Sequence, residues 1–368
     1  MYKKNISYVF ISGRKDKLNL RPENYAKEFF YGYQHFQNKG YETNIIEFNE
    51  KKSIFNFVYY ILNRISDLPI YGQYLTNRKN YDLLKKSSDI IFTNQKTAYS
   101  MLPLLLVSKI VTKVNSHVFI MGLFGKPMKY KIKYFFREFF IKVLIKTSKN
   151  LIFLGRGEYE YAIRKYKKYQ NKFIFLPFAI DTDFWNYSKP KKVKKNILFI
   201  GNDGMRDYDF LLELIKKMPN YNFDVVSNKI NENKILKNLN LYKGDWGKYE
   251  YSDEFIKELY KKNDLTILPI KETFQPSGQS VALQSMSTGT PVMITLTKGF
   301  WDYQKFKHQE NIFFLKKNEI DLWVEEIESF FNEENIINDV SHFARESIER
   351  DYELKKFCIK LEEIIINN

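Results

Sequence analysis

The sequence predicts an α/β chain with two Rossmann-like, doubly wound domains in tandem, their parallel sheets facing a central cleft. Three observations carry this reading. The chain opens with a strand–helix–strand pattern, breaks at a polar stretch near residue 190, and then restarts the same alternation. Short apolar strands separated by helical patterns imply a parallel sheet covered on both faces.

The elements follow in order. Residues 6–12 read as a buried strand that stops at Gly13. Residues 22–38 read as a helix with Phe29, Phe30, Tyr33 and Phe36 on one face, ended by Gly40. Tyr41 to Phe48 gives the next strand, and further strands lie near 90–92, 118–120 and 151–154. Asn186 to Asn196 is charged and contains Pro190, the composition of an inter-domain linker. After it, Ile197–Ile200 is a strand ending at Gly201, a helix runs over about 207–218, and 223–226 is a strand. A helix near 253–262 leads to a strand over 264–270. A loop, a short helix stopped by Gly289 and a strand from Val292 follow. Asn318 is placed as the N-cap of a helix reaching about Phe331, after strand 312–315. Helical patterns over 338–347 and 351–366 close the chain. The expected division is a first domain over 1–186, a linker over 187–196, a second domain over 197–350, and a C-terminal helix over 351–368 that packs back on the first domain.

Composition narrows the classes. With 368 residues, two domains fit better than one. Hydrophobic residues at 44% and aromatics at 17% supply two cores and exclude a disordered chain. The lone Cys358 excludes an internal disulfide framework and a cysteine metal cluster, and fits a reducing cytoplasm. The net charge of +16 suits phosphorylated ligands, an anionic membrane or nucleic acid. It also reads as drift of solvated faces, because Lys, Asn, Ile, Phe and Tyr are abundant together. Met1-Tyr2-Lys3-Lys4 opens as a signal peptide would, but Tyr8 to Ile11 is too short for its core. No segment approaches the roughly 18 apolar residues of a membrane span, so a cytoplasmic protein is expected, peripheral at the inner face of the membrane if it meets lipid.

Two loops carry the chemistry. Gly201-Asn202-Asp203-Gly204-Met205-Arg206 follows the opening strand of the second domain. Glycines let backbone approach a ligand, and a guanidinium can grip a diphosphate with two hydrogen bonds. On its own the loop equally reads as an ordinary strand–helix turn with a surface arginine. It is not the G-x-G-x-x-G fingerprint, so nicotinamide and flavin get little support. Ser277-Gly278-Gln279-Ser280 opens onto a helix N-terminus, where unpaired N–H groups suit a phosphate. Ligands of such sheets sit at the carboxyl ends of strands. Gly13 and Arg14 hold the corresponding place in the first domain. Asp302, after a strand end, reads either as facing the cleft or as part of a surface loop.

With these residues in hand, the second half resembles the retaining glycosyltransferases of family 4, of GT-B fold. Phe178 to Trp185 is similar to the segment that closes their first domain, and Ile197 to Gly201 to the opening strand of their second. Glu258 to Pro269 and Leu283 to Val292 resemble their two later signature segments. The resemblance implies transfer of a sugar from a nucleotide-diphosphate sugar to a glycolipid, lipid-linked or polysaccharide acceptor. It implies neither cofactor nor metal, the nucleotide sugar being a substrate. Arg206 would take the family's phosphate-binding role and act on the leaving group. Gly201, Asn202 and Ser277 to Ser280 would line the donor. Gln284 stands where the family has its ribose-binding glutamate, as in a smaller branch with the same Ser-Gly-Gln…Leu-Gln version. Pro276 stands at the other usual glutamate, and Glu272, four residues earlier, is the catalytic candidate to reach that space. Retention in this fold is thought to need positioning and stabilised charge rather than a protein nucleophile. No carboxylate pair marks a hydrolase, and the histidines at 35, 117, 308 and 342 are scattered. Alternatives are a nucleotide-sugar 2-epimerase of the same fold and a non-catalytic nucleotide-sugar-binding relative.

The basic, aromatic stretch over 126–146 reads either as a helix lying on an anionic membrane or as a core helix with a lysine-rich outer face. No nucleic-acid partner is expected, because no RNA-binding motif accompanies the aromatics.

Overall fold

A computed structural model describes residues 4–48, 56–111, 113–124, 131–188, 193–231, 236–244 and 250–366. The chain divides into two compact units. One comprises Met1–Asn19, Phe29–Leu176 and Cys358–Asn368; the other comprises Leu20–Glu28 and Pro177–Phe357. Parts of two expected features, the linker at 189–192 and the membrane stretch at 126–130, lie outside the described residues.

The first unit holds β1 (Asn5–Phe10), α1 (Arg14–Leu18), α2 (Tyr33–Asn38), β2 (Glu42–Glu47), α3 (Asn56–Ser66), α4 (Arg78–Lys86), β3 (Asp89–Phe92), α5 (Gln95–Val111), β4 (Asn115–Ile120), α6 (Lys131–Thr147), β5 (Asn150–Phe153), α7 (Arg156–Lys165) and β6 (Phe173–Phe175). Its six strands are all parallel, in the order β2-β1-β3-β4-β5-β6. The inner strands β3 and β5 are buried along their whole length, which is why they read as apolar runs. Tyr99, Leu102 and Leu105 of α5 and Ile141, Leu144 and Ile145 of α6 close the core over Val9, Ile90, Val118 and Leu151.

The second unit repeats the plan with β7 (Asn196–Ile200), α8 (Tyr208–Lys217), β8 (Asn222–Val226), β9 (Leu239–Tyr242), α9 (Asp253–Lys262), β10 (Leu265–Leu268), α10 (Gln279–Thr288), β11 (Val292–Thr295), β12 (Phe313–Leu315), α11 (Ile320–Asn332), α12 (Glu334–Asp351) and the start of α13 (Leu354–Ile366). The order is β12-β11-β10-β7-β8-β9, again parallel throughout. Phe210, Leu211, Leu214 and Ile215 line one face of α8 and meet Trp323 and Ile327 of α11 over the sheet. α9 starts at Ser252, whose side chain accepts the Phe255 N–H at 3.1 Å, with acids in its first turn and lysines in its last.

Two expected features differ in the structure. Residues 22–38 do not form one helix. Short turns at Pro22–Asn24 and Glu28–Phe30 precede α2, which begins only at Tyr33. Tyr31 and Gly32 adopt left-handed backbone (φ 49° and 81°), which no right-handed helix can pass through. Asn318 caps no helix either. Its Nδ2 donates to Asp207 Oδ2 at 3.0 Å and its Oδ1 accepts from Thr295 Oγ1, so the side chain ties two loops together; α11 starts after Glu319. The short edge strands β6 and β9 went unread, since three or four residues carry little pattern.

Alternation on β8 sends Phe223 and Val225 into the core and Asp224 to the opposite face. There Asp224 is 3% exposed and accepts from Asn240 Nδ2 (3.1 Å), Asn263 Nδ2 (3.0 Å) and Lys262 Nζ (3.0 Å). One carboxylate thus fastens β8, β9 and the end of α9. Asp224→Ala strands those donors and is expected to cost about 2–4 kcal/mol in urea denaturation; a loss below about 0.5 kcal/mol would contradict this role.

Candidate functional site

β8 and β9 lie on one side of β7, and the chain then crosses to place β10 on the other side. The sheet therefore has its topological switch point between β7 and β10, where α/β proteins take their ligands. Leu265 pairs with Ile197 and Thr266 with Leu198, so the loops after the two strands emerge together. They are also joined to each other. Asp207 N donates to Pro269 O at 3.0 Å, Lys271 N to Met205 O at 2.8 Å, and Arg206 bridges Ile270. The two loops that the sequence singled out separately are one construction.

Arg206 lies at its centre and is 3% exposed. A Cβ on Gly201 would fall 2.8 Å from the arginine's Cγ and Nε, so the glycine lets the side chain fold over the strand end. Arg206 Nη1 reaches Asp203 Oδ2 at 3.0 Å and also Ser277 Oγ. Ser277 Oγ in turn donates to Asp203 Oδ2 at 2.8 Å. Arg206 Nε is buried and has no acceptor. Burial alone would raise the Asp203 pKa. The Arg206 charge, the Ser277 hydroxyl and the N–H groups of Met205 and Arg206 outweigh burial and hold it below its ordinary value. Asp203 thus belongs to the candidate site, and sequence reasoning did not single it out, although it stands three positions before the arginine.

The remaining donor-side residues have different fates. Asn202 is spent on structure, its Oδ1 accepting from Asn228 N (2.7 Å) and its Nδ2 donating to Gly244 O (3.0 Å). Gly278 has φ 84° at the start of α10, and any Cβ there would meet Ile270 Cδ1 at 3.0 Å. Gln279 is buried and Ser280 half-buried on the first turn of α10, whose leading N–H groups have no intrahelical acceptor. Glu272 is exposed and accepts the Lys298 N–H at 3.1 Å. Asp302 is buried, with Tyr352 OH donating to it at 3.2 Å.

Gln284 is fully buried and both ends of its amide are engaged. Tyr260 OH donates to its Oε1 at 3.2 Å, and its Nε2 donates to Glu28 Oε1 at 2.8 Å. Trp185 Nε1 donates to the same Glu28 oxygen at 2.8 Å. Glu28 arrives on the segment Leu20–Glu28, which Asp253 and Asp181 anchor by accepting the N–H groups of Ala26 (2.8 Å) and Lys27 (3.2 Å). No local sequence signal announces it, because it lies 256 residues from its partner.

In the first unit, Gly13 has φ 93° and starts α1 at the carboxyl end of β1. The N–H groups of Arg14 and Lys15 donate to Glu47 Oε1 at 2.6 and 2.9 Å. The Arg14 guanidinium lies over the rings of Phe29 and Phe30, at 5.3 and 5.9 Å. His117 is a core residue, held between Asp89 (3.1 Å) and Asn150 (3.2 Å).

Burial and the neighbouring Asp181 push the Glu28 pKa from an ordinary 4.5 up to about 7, with Asp253 adding to the rise. The folded state therefore holds this proton more tightly than the unfolded chain. Its stabilisation is complete below pH 4.5 and is lost as pH rises through about 7. Glu28→Gln keeps the acceptor oxygen and removes the titration. Melting measured from pH 5 to 7.5 should show a smaller loss in Glu28→Gln than in the parent, by about 2 kcal/mol. Identical pH slopes would refute the assignment.

No family model matches the sequence, and no curated protein sequence matches it. Solved structures do match. A glycosyltransferase from Rickettsia africae aligns over 100% of this chain and 99% of its own, with TM-score 0.68 and 14% identity. An Anabaena protein, HepE, solved with UDP and glucose, aligns over 98% and 99%, with TM-score 0.67 and 9% identity. The sucrose-phosphate synthase of Thermosynechococcus elongatus aligns over 98% of each chain, with TM-score 0.72 and 10% identity. Two parallel six-stranded sheets flanked by helices, in this order along the chain, give the protein the α/β fold of the GT-B glycosyltransferases.

Proposed function

We propose that this protein is a retaining glycosyltransferase of the family 4 type, moving a sugar from a nucleotide-diphosphate sugar to a glycolipid, lipid-linked or polysaccharide acceptor. The observation that carries the reading is the convergence of Arg206, Ser277 and the first turn of α10 at the switch point between β7 and β10. The similar fold of a protein solved with UDP and glucose supports it. A diphosphate at this place would give Arg206 Nε the acceptor it lacks. It would also meet the positive end of α10. Both interactions strengthen as negative charge builds on the leaving diphosphate, so they lower the barrier rather than only bind the donor. Asp203 holds the guanidinium in place before the donor arrives. In this reading no cofactor or metal takes part, and Glu272 and Gly13 with Arg14 serve the donor sugar and the acceptor.

We also place the protein in the cytoplasm with a peripheral contact to the membrane through α6. That helix leaves Ile132, Phe135 and Phe139 exposed beside exposed Lys131, Lys142 and Lys146. α3 packs against it with Phe57 and Tyr60 exposed. An apolar face rimmed by lysines suits an anionic bilayer surface. Among the described residues no helix is long and apolar enough to cross a membrane.

Incubation with a panel of UDP-, GDP- and other nucleotide sugars tests the reading. Acceptor-dependent release of nucleoside diphosphate, unaffected by chelator, is expected. Interconversion of the donor would mark the 2-epimerase instead, and binding without turnover a non-catalytic relative. Arg206→Ala should weaken donor binding roughly 10- to 100-fold, the worth of hydrogen bonds to a charged group. Arg206 is buried against Asp203, so melting is followed in parallel; unchanged donor affinity in the folded variant would remove the phosphates from this site.

A further inference from the structure

A cavity of about 730 Å³ opens in the first unit. It lies between the carboxyl end of β2, the turn after β1, the turn at Gly72–Tyr74 and the N-terminus of α4. Three polar acceptors line it. Glu47 Oε1 is held by two backbone N–H groups, which fixes the carboxylate. Gln73 Oε1 is buried and has no partner. Asn80 is 8% exposed, and its Nδ2 is spent on Leu75 O at 2.7 Å.

Glu47, Gln73 and Asn80 set a carboxylate and two amide groups around one space, a lining suited to a ligand with several hydroxyls. The wall agrees. Tyr74, fixed by stacking on Tyr71 at 6.1 Å and packing on Phe48 at 5.8 Å, presents a rigid aromatic surface for the C–H face of a sugar ring. The rim adds charge. Lys15 and Lys79 are exposed there, and the α4 N-terminus carries no acidic residue in its first turn. Two ammonium groups and a helix N-terminus outweigh the one carboxylate of Glu47.

We infer that this cavity binds a saccharide bearing an anionic group, a phosphate or a carboxylate, and that such a saccharide is the acceptor; the second half of the inference rests on the glycosyltransferase reading. Sugar hydroxyls donate to Gln73, Asn80 and Glu47, the ring lies on Tyr74, and the anionic group meets Lys15, Lys79 and α4.

Saturation-transfer NMR and calorimetry on the full chain, with glucose 6-phosphate, glucuronate, glucose and inorganic phosphate, test this. At least one of the two charged sugars should bind, roughly tenfold or more tightly than glucose or phosphate alone, a ratio set by one charge-assisted hydrogen bond. Which of the two binds distinguishes phosphate from carboxylate. Lys79→Ala should remove about that tenfold and leave glucose unchanged, while Tyr74→Ala should weaken every sugar alike. Lys79 is exposed, so its variant keeps the test valid if Tyr74→Ala fails to fold. Absence of sugar binding, an unchanged Lys79→Ala, or phosphate binding as tightly as the sugar phosphate would overturn the inference. Arg206→Ala separates the two readings: it should lose the nucleotide sugar and keep the anionic saccharide. Charged-sugar binding without any transfer would sink the acceptor role and the glycosyltransferase reading while leaving the cavity assignment intact.

Discussion

β7 and β10 run side by side although α8, β8, β9 and α9 separate them in the chain. That pairing is the constraint on which the second unit's chemistry rests. Each strand is only four or five residues long and buried through its centre, so burial on both faces fixes its place in the sheet. Once the two strands are neighbours, their outgoing loops can satisfy each other's backbone groups. The two hydrogen bonds from Asp207 to Pro269 and from Lys271 to Met205, which make Arg206 and Ile270 a β-bridge, are the result. Arg206 then has Asp203 on its own loop and Ser277 on the other within reach, and a buried guanidinium becomes tolerable because it is paired and hydrogen-bonded.

Much of this was legible in the residues. Apolar runs located ten of the twelve strands among the described residues, and glycine after a strand located both loops, because these signals are local and strong. What failed was non-local. The helix expected over 22–38 had suitable spacing, but Tyr31 and Gly32 turn left-handed there, and spacing says nothing of backbone handedness. Asn318 had the right residue type for a cap, yet Asp207 and Thr295, far along the chain, compete for its side chain more effectively than the N–H groups of α11. Glu28 is the sharpest case. Nothing around it marks a site, and its role exists only because the segment bearing it is anchored to Asp181 and Asp253.

Glu28 also bears on the missing carboxylates. Pro276 and Gln284 hold positions where the resembling family has glutamates. The structure places a carboxylate against the Gln284 amide all the same, supplied from elsewhere in the chain. A neutral amide between Tyr260 and Glu28 has both its ends engaged as it stands. A glutamate at 284 would have put two carboxylates in direct contact inside a buried site, which is costly. The glutamine and the buried acid are therefore chemically matched: one explains why the other is tolerated.

Neither unit is a continuous stretch of chain. The first lacks part of its surface until residues 358–366 have been made, since Glu362 receives His35 (2.7 Å) and Tyr41 (3.3 Å), and the carbonyl of Ile365 receives Lys4 (3.1 Å). The second needs Leu20–Glu28, synthesised long before the rest of it. A ribosome therefore cannot deliver one finished unit and then the other, as it does for domains strung in series. Both units complete only after the second has been translated, and no single cut in the gene separates them into two intact halves.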